Sequence, residues 1–294
     1  MEACGKMIKL SRGDRLLHAC IIVILFCVAV IAIIPLLSVA SKSLSSKTSV
    51  EANLVTVFPV KFTMDSWSHM VKNSNLWRAF AISVVATVIG TPLALIWNLL
   101  FAYPLSKRDF PLSRILLLGV LVGMIFKPPM VPYFLAVRNM GLYDNPLVLI
   151  LPQIQVGFNL IILITFLRQF PVELEEAAII DGAGYFLRLF KVVLPLSKAA
   201  LATQAMFYSV MLWNQFQHPL MFIQNHRWFP LQILIRTFIN DEFTMAVGGL
   251  AAVDYNVQTL RCVAIIFAVI PILLLYPFLQ KHFAKGTMIG SVKG

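Results

Sequence analysis

The residues best placed to do chemistry lie in one polar stretch, residues 168 to 198, which carries Arg168, Glu173, Glu175, Glu176, Asp181, Arg188, Lys191 and Lys198. Within it stand Glu176, Ala177 and Ala178, then three residues, Gly182, nine residues, and Val192-Val193-Leu194-Pro195. These types suit docking rather than bond making. Pro171 fits a first helical turn, where its missing N–H costs nothing, and Glu173, Glu175 and Glu176 then sit near the positive end of the helix dipole. Ala177 and Ala178 let another backbone approach closely. Gly182, between Asp181 and Ala183, permits the positive φ of a sharp turn. Leu187, Leu189, Phe190, Val192 and Val193 anchor the second half, and Pro195 marks a break before the next apolar segment. The expected unit is helix, turn, helix, on a loop where another protein docks.

A second set lies inside the apolar segments: Trp97 and Asn98; Lys127 and Tyr133; Gln153, Gln155 and Asn159; Trp213, Asn214, Gln215, Gln217 and His218. Polar groups at membrane depth face a bundle interior or a water-filled path, and amides, a charge and aromatic faces together suit a saccharide. The structural alternatives are definite. Asn98, Gln153 and Asn159 could bridge helices, and Trp97 and Trp213 could anchor at an interface. Lys127, after an apolar run and before Pro128-Pro129, could snorkel or bind a carbonyl that the prolines leave free.

Catalysis finds no constellation. His18, His69, His218, His226 and His282 are scattered, without H-E-x-x-H or a nucleophile elbow, and there is no G-x-x-x-x-G-K-[ST] phosphate loop. Cys4, Cys20, Cys27 and Cys262 have no metal-type spacing. Neither an enzyme nor a metal site is expected, and no cofactor bound by this chain.

The elements that must position these residues are membrane helices. The chain is 59% hydrophobic and 13% charged, against about 25% charged for a soluble globule. Six stretches approach or exceed the ~20 residues that cross about 30 Å of hydrocarbon: residues 18 to 40, 80 to 103, 112 to 135, 146 to 167, 199 to 222 and 262 to 280. The first is longer than a signal-peptide core and reads as retained. Residues 1 to 17 form a terminal segment, 18 to 79 the first span with its following loop, and 80 to 294 the core. With the N-terminus inside, fourteen Lys and Arg fall in the inner segments, counted as 1 to 17, 104 to 114, 168 to 198 and 281 to 294, and nine in the longer outer ones, 41 to 79, 136 to 146 and 223 to 261, leaving Lys127 as the one remaining. Both termini and the polar loop are therefore expected in the cytoplasm. The net charge of +11 reflects this bias toward anionic headgroups, so no nucleic-acid partner is expected.

The spaced pattern from Glu176 to Pro195 resembles the signature loop of inner-membrane permease subunits of bacterial ABC importers, with Val192 in place of the usual isoleucine. Residues 62 to 83, including Phe62, Thr63, Trp67, Leu76, Trp77 and Arg78, together with Trp213-Asn214 and Pro219-Leu220, resemble carbohydrate permeases of the maltose-permease type. The run from Lys285 to Gly294 resembles a branch handling larger, uronate-containing saccharides, the alginate importer's permeases among them. That resemblance implies an all-α polytopic fold of six transmembrane helices, the type I importer permease fold, with a coupling helix between the fourth and fifth.

It also implies partners: a second homologous permease, two ATPase subunits that carry ATP and Mg, and a periplasmic or lipid-anchored solute-binding protein. The coupling residues would be Glu175, Glu176, Ala177, Ala178, Asp181, Gly182, Ala183, Leu194 and Pro195, the helix from Glu173 to Asp181 resting in a cleft of the ATPase. The substrate path would draw on Trp97, Asn98, Lys127, Tyr133, Gln153, Asn159, Trp213, Asn214 and Gln217. Parts of segments 41 to 79 and 223 to 261 would receive the binding protein. A permease for neutral sugars is the alternative, and a secondary transporter the more distant one.

Overall fold

A sequence this rich in continuous apolar runs satisfies its backbone within helices, and the computed structural model shows that outcome for the residues it describes, 12 to 107, 109 to 239 and 257 to 287. Cys4 and most of the N-terminal segment, residues 240 to 256, and most of the C-terminal run lie outside the described residues.

Among the described residues the chain forms two compact units. The first comprises residues 12 to 72 and 257 to 266. Its α1 (Arg12–Ser43) is long and apolar enough to span a membrane, and the apolar side chains from Leu16 to Leu37 are exposed along it. The following segment folds back on the helix end. Ser45 Oγ donates to Ser41 O at 2.6 Å and accepts from Val60 N at 3.0 Å, while Thr63 N donates to Leu44 O at 3.0 Å. Short α2 (Lys47–Glu51) and α3 (Asp65–Lys72) complete this part, and Ser66 Oγ donates to Thr259 Oγ1 at 2.9 Å.

The second unit comprises residues 73 to 239, apart from Arg108, and 267 to 287. It is built on α4 (Ser74–Ser106), capped by Asn73, whose side chain accepts from Asn75 N at 2.9 Å. Ala79, Ser83, Ala86, Gly90, Ala94, Asn98 and Ala102 recur on one buried face of α4. Small residues at that spacing let helices pack closely without a hydrophobic driving force between them. A Cβ on Gly90 would lie 2.7 Å from Leu212 Cδ1, which shows how near α11 (Lys198–Trp213) approaches. Between them in sequence come α5 (Ser113–Ile125), α6 (Met130–Asn139), α7 (Gly157–Leu167), α8 (Val172–Ile180), α9 (Tyr185–Arg188) and α10 (Leu194–Leu196). After α11 follow α12 (Gln217–Phe222), α13 (Leu231–Ile239) and α14 (Val257–Thr287), the last divided between the two units.

The six expected spans are all present as helical segments, but three are not continuous. The third breaks between Ile125 and Met130, because Pro128 and Pro129 lack N–H donors and Lys127, preceding a proline, is pushed out of the α region. The fourth begins as two 3₁₀ turns, Pro146–Leu149 and Leu151–Gln153, and meets α7 with a 43° bend after extended Val156. The fifth breaks at Asn214 to Phe216, ahead of Pro219, which a continuous helix would not accommodate.

Candidate functional site

In the polar loop, Pro171 (φ −57°, ψ 129°) lies just before α8 rather than inside its first turn. Glu173 and Glu175 occupy that turn, opposite the unsatisfied N–H groups. Glu176 falls one residue beyond, where the dipole has largely faded, so its exposed carboxylate acts as a plain surface charge. Glu175 is not free for a partner: its carboxylate pairs with Lys107, whose ammonium also lies 4.7 Å over the Tyr103 ring. Arg168 donates to Leu105 O at 3.2 Å. These contacts tie the loop to the end of α4.

The turn is closed by Ala183 N to Ala178 O at 2.9 Å and Gly182 N to Ile179 O at 2.9 Å, with Gly182 at φ +78°. This is a Schellman cap, which satisfies the last carbonyls of α8 and demands a left-handed residue at Gly182. A Cβ there would meet no atom of the described residues within 4 Å, so the requirement for glycine is one of backbone conformation, not of space. Ala177, Asp181, Ile179, Ile180, Tyr185 and Phe186 are exposed around the turn, and Ala178 and Ala183 half-buried. Contiguous exposed apolar groups of this kind mark an interaction surface.

Of the residues expected to anchor the second half, Leu189 and Val193 are buried and Val192 half-buried, whereas Leu187 and Phe190 face outward. The π turn at Leu189–Val193 has a plain cause. Pro195 offers no N–H to Lys191, and widening the turn absorbs the lost bond. The helix then continues through Leu194 and Pro195, and the interruption expected at Pro195 appears instead at Ser197.

The polar groups of the spans divide into two kinds. Asn98 is fully buried and its Nδ2 lies within bonding distance of Ala94 O (2.8 Å), Ile154 O (3.1 Å) and Tyr208 OH (2.6 Å), so it braces α4 against the broken fourth span and α11. Asn159 is also buried, and its main-chain carbonyl accepts from Gln204 Nε2. Trp213 is buried too, its indole donating to Ala268 O at 3.2 Å. All three are thus buried, and the side chains of Asn98 and Trp213 bond to neighbouring segments of the bundle. Gln204 and Tyr208 escaped the sequence reading. Each is a single polar group in a run of small and apolar residues, and their spacing of four was the available signal.

The second kind stays accessible. Lys127, Gln155, Asn214 and Gln217 are exposed, Trp97 is 43% exposed and packs on Phe101, and half-buried Tyr133 contacts His218 at 3.4 Å. Gln153 Nε2 donates to Gln215 Oε1 at 2.8 Å, joining the breaks of the fourth and fifth spans. The third-span break adjoins them, since a Cβ on Gly157 would lie 2.5 Å from Met124 Cγ. Three helix breaks thus meet in one region. On the side away from the loop, Asp144 Oδ1 accepts from Gln224 N and Asn225 N at 3.0 and 2.8 Å, knitting together two segments that the charge count places on one side.

The family described as "Binding-protein-dependent transport system inner membrane component" matches residues 72–289. Protein LplC of Bacillus subtilis (strain 168) is 37% identical over 286 residues, 97% of this chain and 97% of that protein. The polygalacturonan/rhamnogalacturonan transport system permease protein YtcP of the same organism is 36% identical over 288 residues, 96% of this chain and 99% of that one. Among solved structures, a chain of a bacterial ABC transporter involved in the import of the acidic polysaccharide alginate superimposes with a TM-score of 0.87 at 29% identity, covering 94% of this chain and all of that chain.

Proposed function

Because the chain belongs to the family of inner membrane components of binding-protein-dependent transport systems, we propose that it forms half of the pathway through which an ABC importer takes up acidic, uronate-rich oligosaccharides. The observation that carries the pathway is the meeting of three broken spans beside exposed Lys127. Non-helical backbone at membrane depth is tolerated where it is buried in protein or lines a water-filled cavity. Lys127, Gln155, Asn214, Gln217, Tyr133, Gln153 and Trp97 supply donors and ring faces to a solute there, while Asn98, Asn159 and Trp213 hold the walls. Support for an acidic solute comes from what the YtcP and alginate-importer names say those proteins handle. A desolvated ammonium facing a carboxylate recovers part of its transfer cost, which a neutral sugar leaves unpaid.

Lys127→Met is accordingly expected to slow uptake of a uronate oligomer severalfold more than that of a neutral oligomer of equal length. Binding-protein-dependent transport into proteoliposomes checks this. Equal slowing of the two substrates, or a wild-type complex that moves only neutral sugars, returns Lys127 to a structural role.

The pathway is completed by a second permease, and a periplasmic or lipid-anchored binding protein delivers the solute. Two ATPase subunits holding ATP and Mg dock on the loop from the cytoplasm, where both termini also lie. Glu176, Ala177, Ala178, Asp181, Gly182 and Ala183 form the docked end, Leu194 and Pro195 pass its movement to α11, and Glu175 holds the loop to α4 through Lys107. The ATPase's closure then biases a rigid-body switch of the spans. As Glu176 is an exposed charge, Glu176→Lys should weaken ATPase retention more than Glu176→Gln, with the difference shrinking as salt rises. A pull-down across a salt series measures it, and equal retention by both variants removes Glu176 from the docking surface.

A further inference from the structure

Between the end of α4, residues 109 to 111 and the α8–α9 loop lies a cleft of about 1190 Å³. Arg188 lines it, and is only 7% exposed. Its guanidinium stacks on Tyr185 at 4.3 Å, Nε has no hydrogen-bond partner, and among the described residues no carboxylate pairs with it. Tyr103, 5% exposed, also lines the cleft and has an unpartnered hydroxyl. A buried guanidinium without a counter-charge is costly in a folded chain, and with Arg188 Nε and the Tyr103 hydroxyl both buried and unpartnered in residues that line one cleft, an oxyanion drawn into it would supply what they lack.

The depth and charge of the cleft select which one. Its wall begins at Leu100, within the apolar span of α4, and passes Lys107 beyond the helix end, so it runs from hydrocarbon depth to headgroup depth. Glu175 is offset by Lys107, and the other lining acids, Asp109 and Glu176, are exposed at the water side. A free phosphate, carrying nearly two negative charges, is repelled by those acids more than a phosphodiester carrying one. We propose that this cleft is a binding site for the phosphate of an anionic phospholipid, held by the Arg188 fork and the Tyr103 hydroxyl, with the lipid's acyl region against Leu100. Basic pockets between spans on the cytoplasmic side are suited to such headgroups, and the planar guanidinium matches phosphate in two-point contact. Its occupancy would stiffen the junction between α4 and the docking loop.

The test uses the purified, assembled importer in detergent, titrated with phosphatidylglycerol, phosphatidylcholine or inorganic phosphate and read by native mass spectrometry. Wild type should retain phosphatidylglycerol over phosphatidylcholine. Arg188→Met should weaken that retention roughly tenfold, the scale of one charge-assisted contact, Arg188→Lys should weaken it less, and Tyr103→Phe should also reduce it. Complex yield and melting temperature of the Arg188→Lys variant guard against misfolding. Preferential retention of inorganic phosphate over the lipid would keep the oxyanion site and reassign its source to the cytoplasm. Equal retention of both lipids, or none of the variants changing it, overturns the proposal. So does loss of the ATPase from Arg188→Met with lipid retention intact, which would make a protein carboxylate the occupant.

Discussion

In proteoliposomes holding the complete importer, Gly182→Val is expected to abolish uptake while ATP hydrolysis loses its response to loaded binding protein. The reason is the cap at the end of α8, where Gly182 sits at φ +78° and the two closing hydrogen bonds depend on that conformation. A β-branched residue there costs about 1–3 kcal/mol, enough to empty the native turn in favour of another. Since a Cβ would touch nothing among the described residues, a second variant separates backbone strain from steric blocking of a partner. Asparagine tolerates the left-handed region far better than valine does. Gly182→Asn should therefore keep most of the coupling. If Asn and Val are equally harmful, the turn is packed against the ATPase and side-chain size is the cause. If neither matters, the loop does not transmit force.

Asn98→Leu is expected to lower the stability of the complex by about 1–3 kcal/mol, the cost of stranding buried polar partners. Its amide approaches Ile154 O at 3.1 Å and Tyr208 OH at 2.6 Å, and the latter hydroxyl also lies 3.3 Å from Val156 N. Both contacts hold the fourth-span break in place, so transport should fall along with the melting temperature. Tyr208→Phe removes one of the stranded groups, and the double variant should cost less than the sum of the singles. Strict additivity in thermal melts of the detergent-solubilised complex would show that the two residues act independently.

The distinction between bracing and accessible polar groups illustrates what a linear reading can reach. Asn98 and Asn214 look alike in sequence, each an amide following a tryptophan inside an apolar run. One, on α4, is sealed against the fourth-span break and α11, and the other stands at a helix break with its side chain exposed. Glu175 and Glu176 are neighbours, yet one is tied to Lys107, 68 positions away, and the other is a surface charge. Neither difference has a local signal.

Sequence alone determined the membrane class, the helical content and the helix, turn, helix of the polar loop. Hydropathy adds up along a window, proline and glycine act on their own backbone, and the spacing from Glu176 to Pro195 stays within a single loop. The third-span break has its cause in Lys127-Pro128-Pro129, although hydropathy reads straight through it as one span. Tertiary structure alone decided that the three breaks meet and that Gly90 and Gly157 are points of close approach. It also left Arg188 buried without a paired acid among the described residues. Those outcomes depend on which faces of distant helices come together. In spans that are apolar all round, no amphipathic stripe records that choice, so it is made by shape: small residues, bends and a few buried hydrogen bonds.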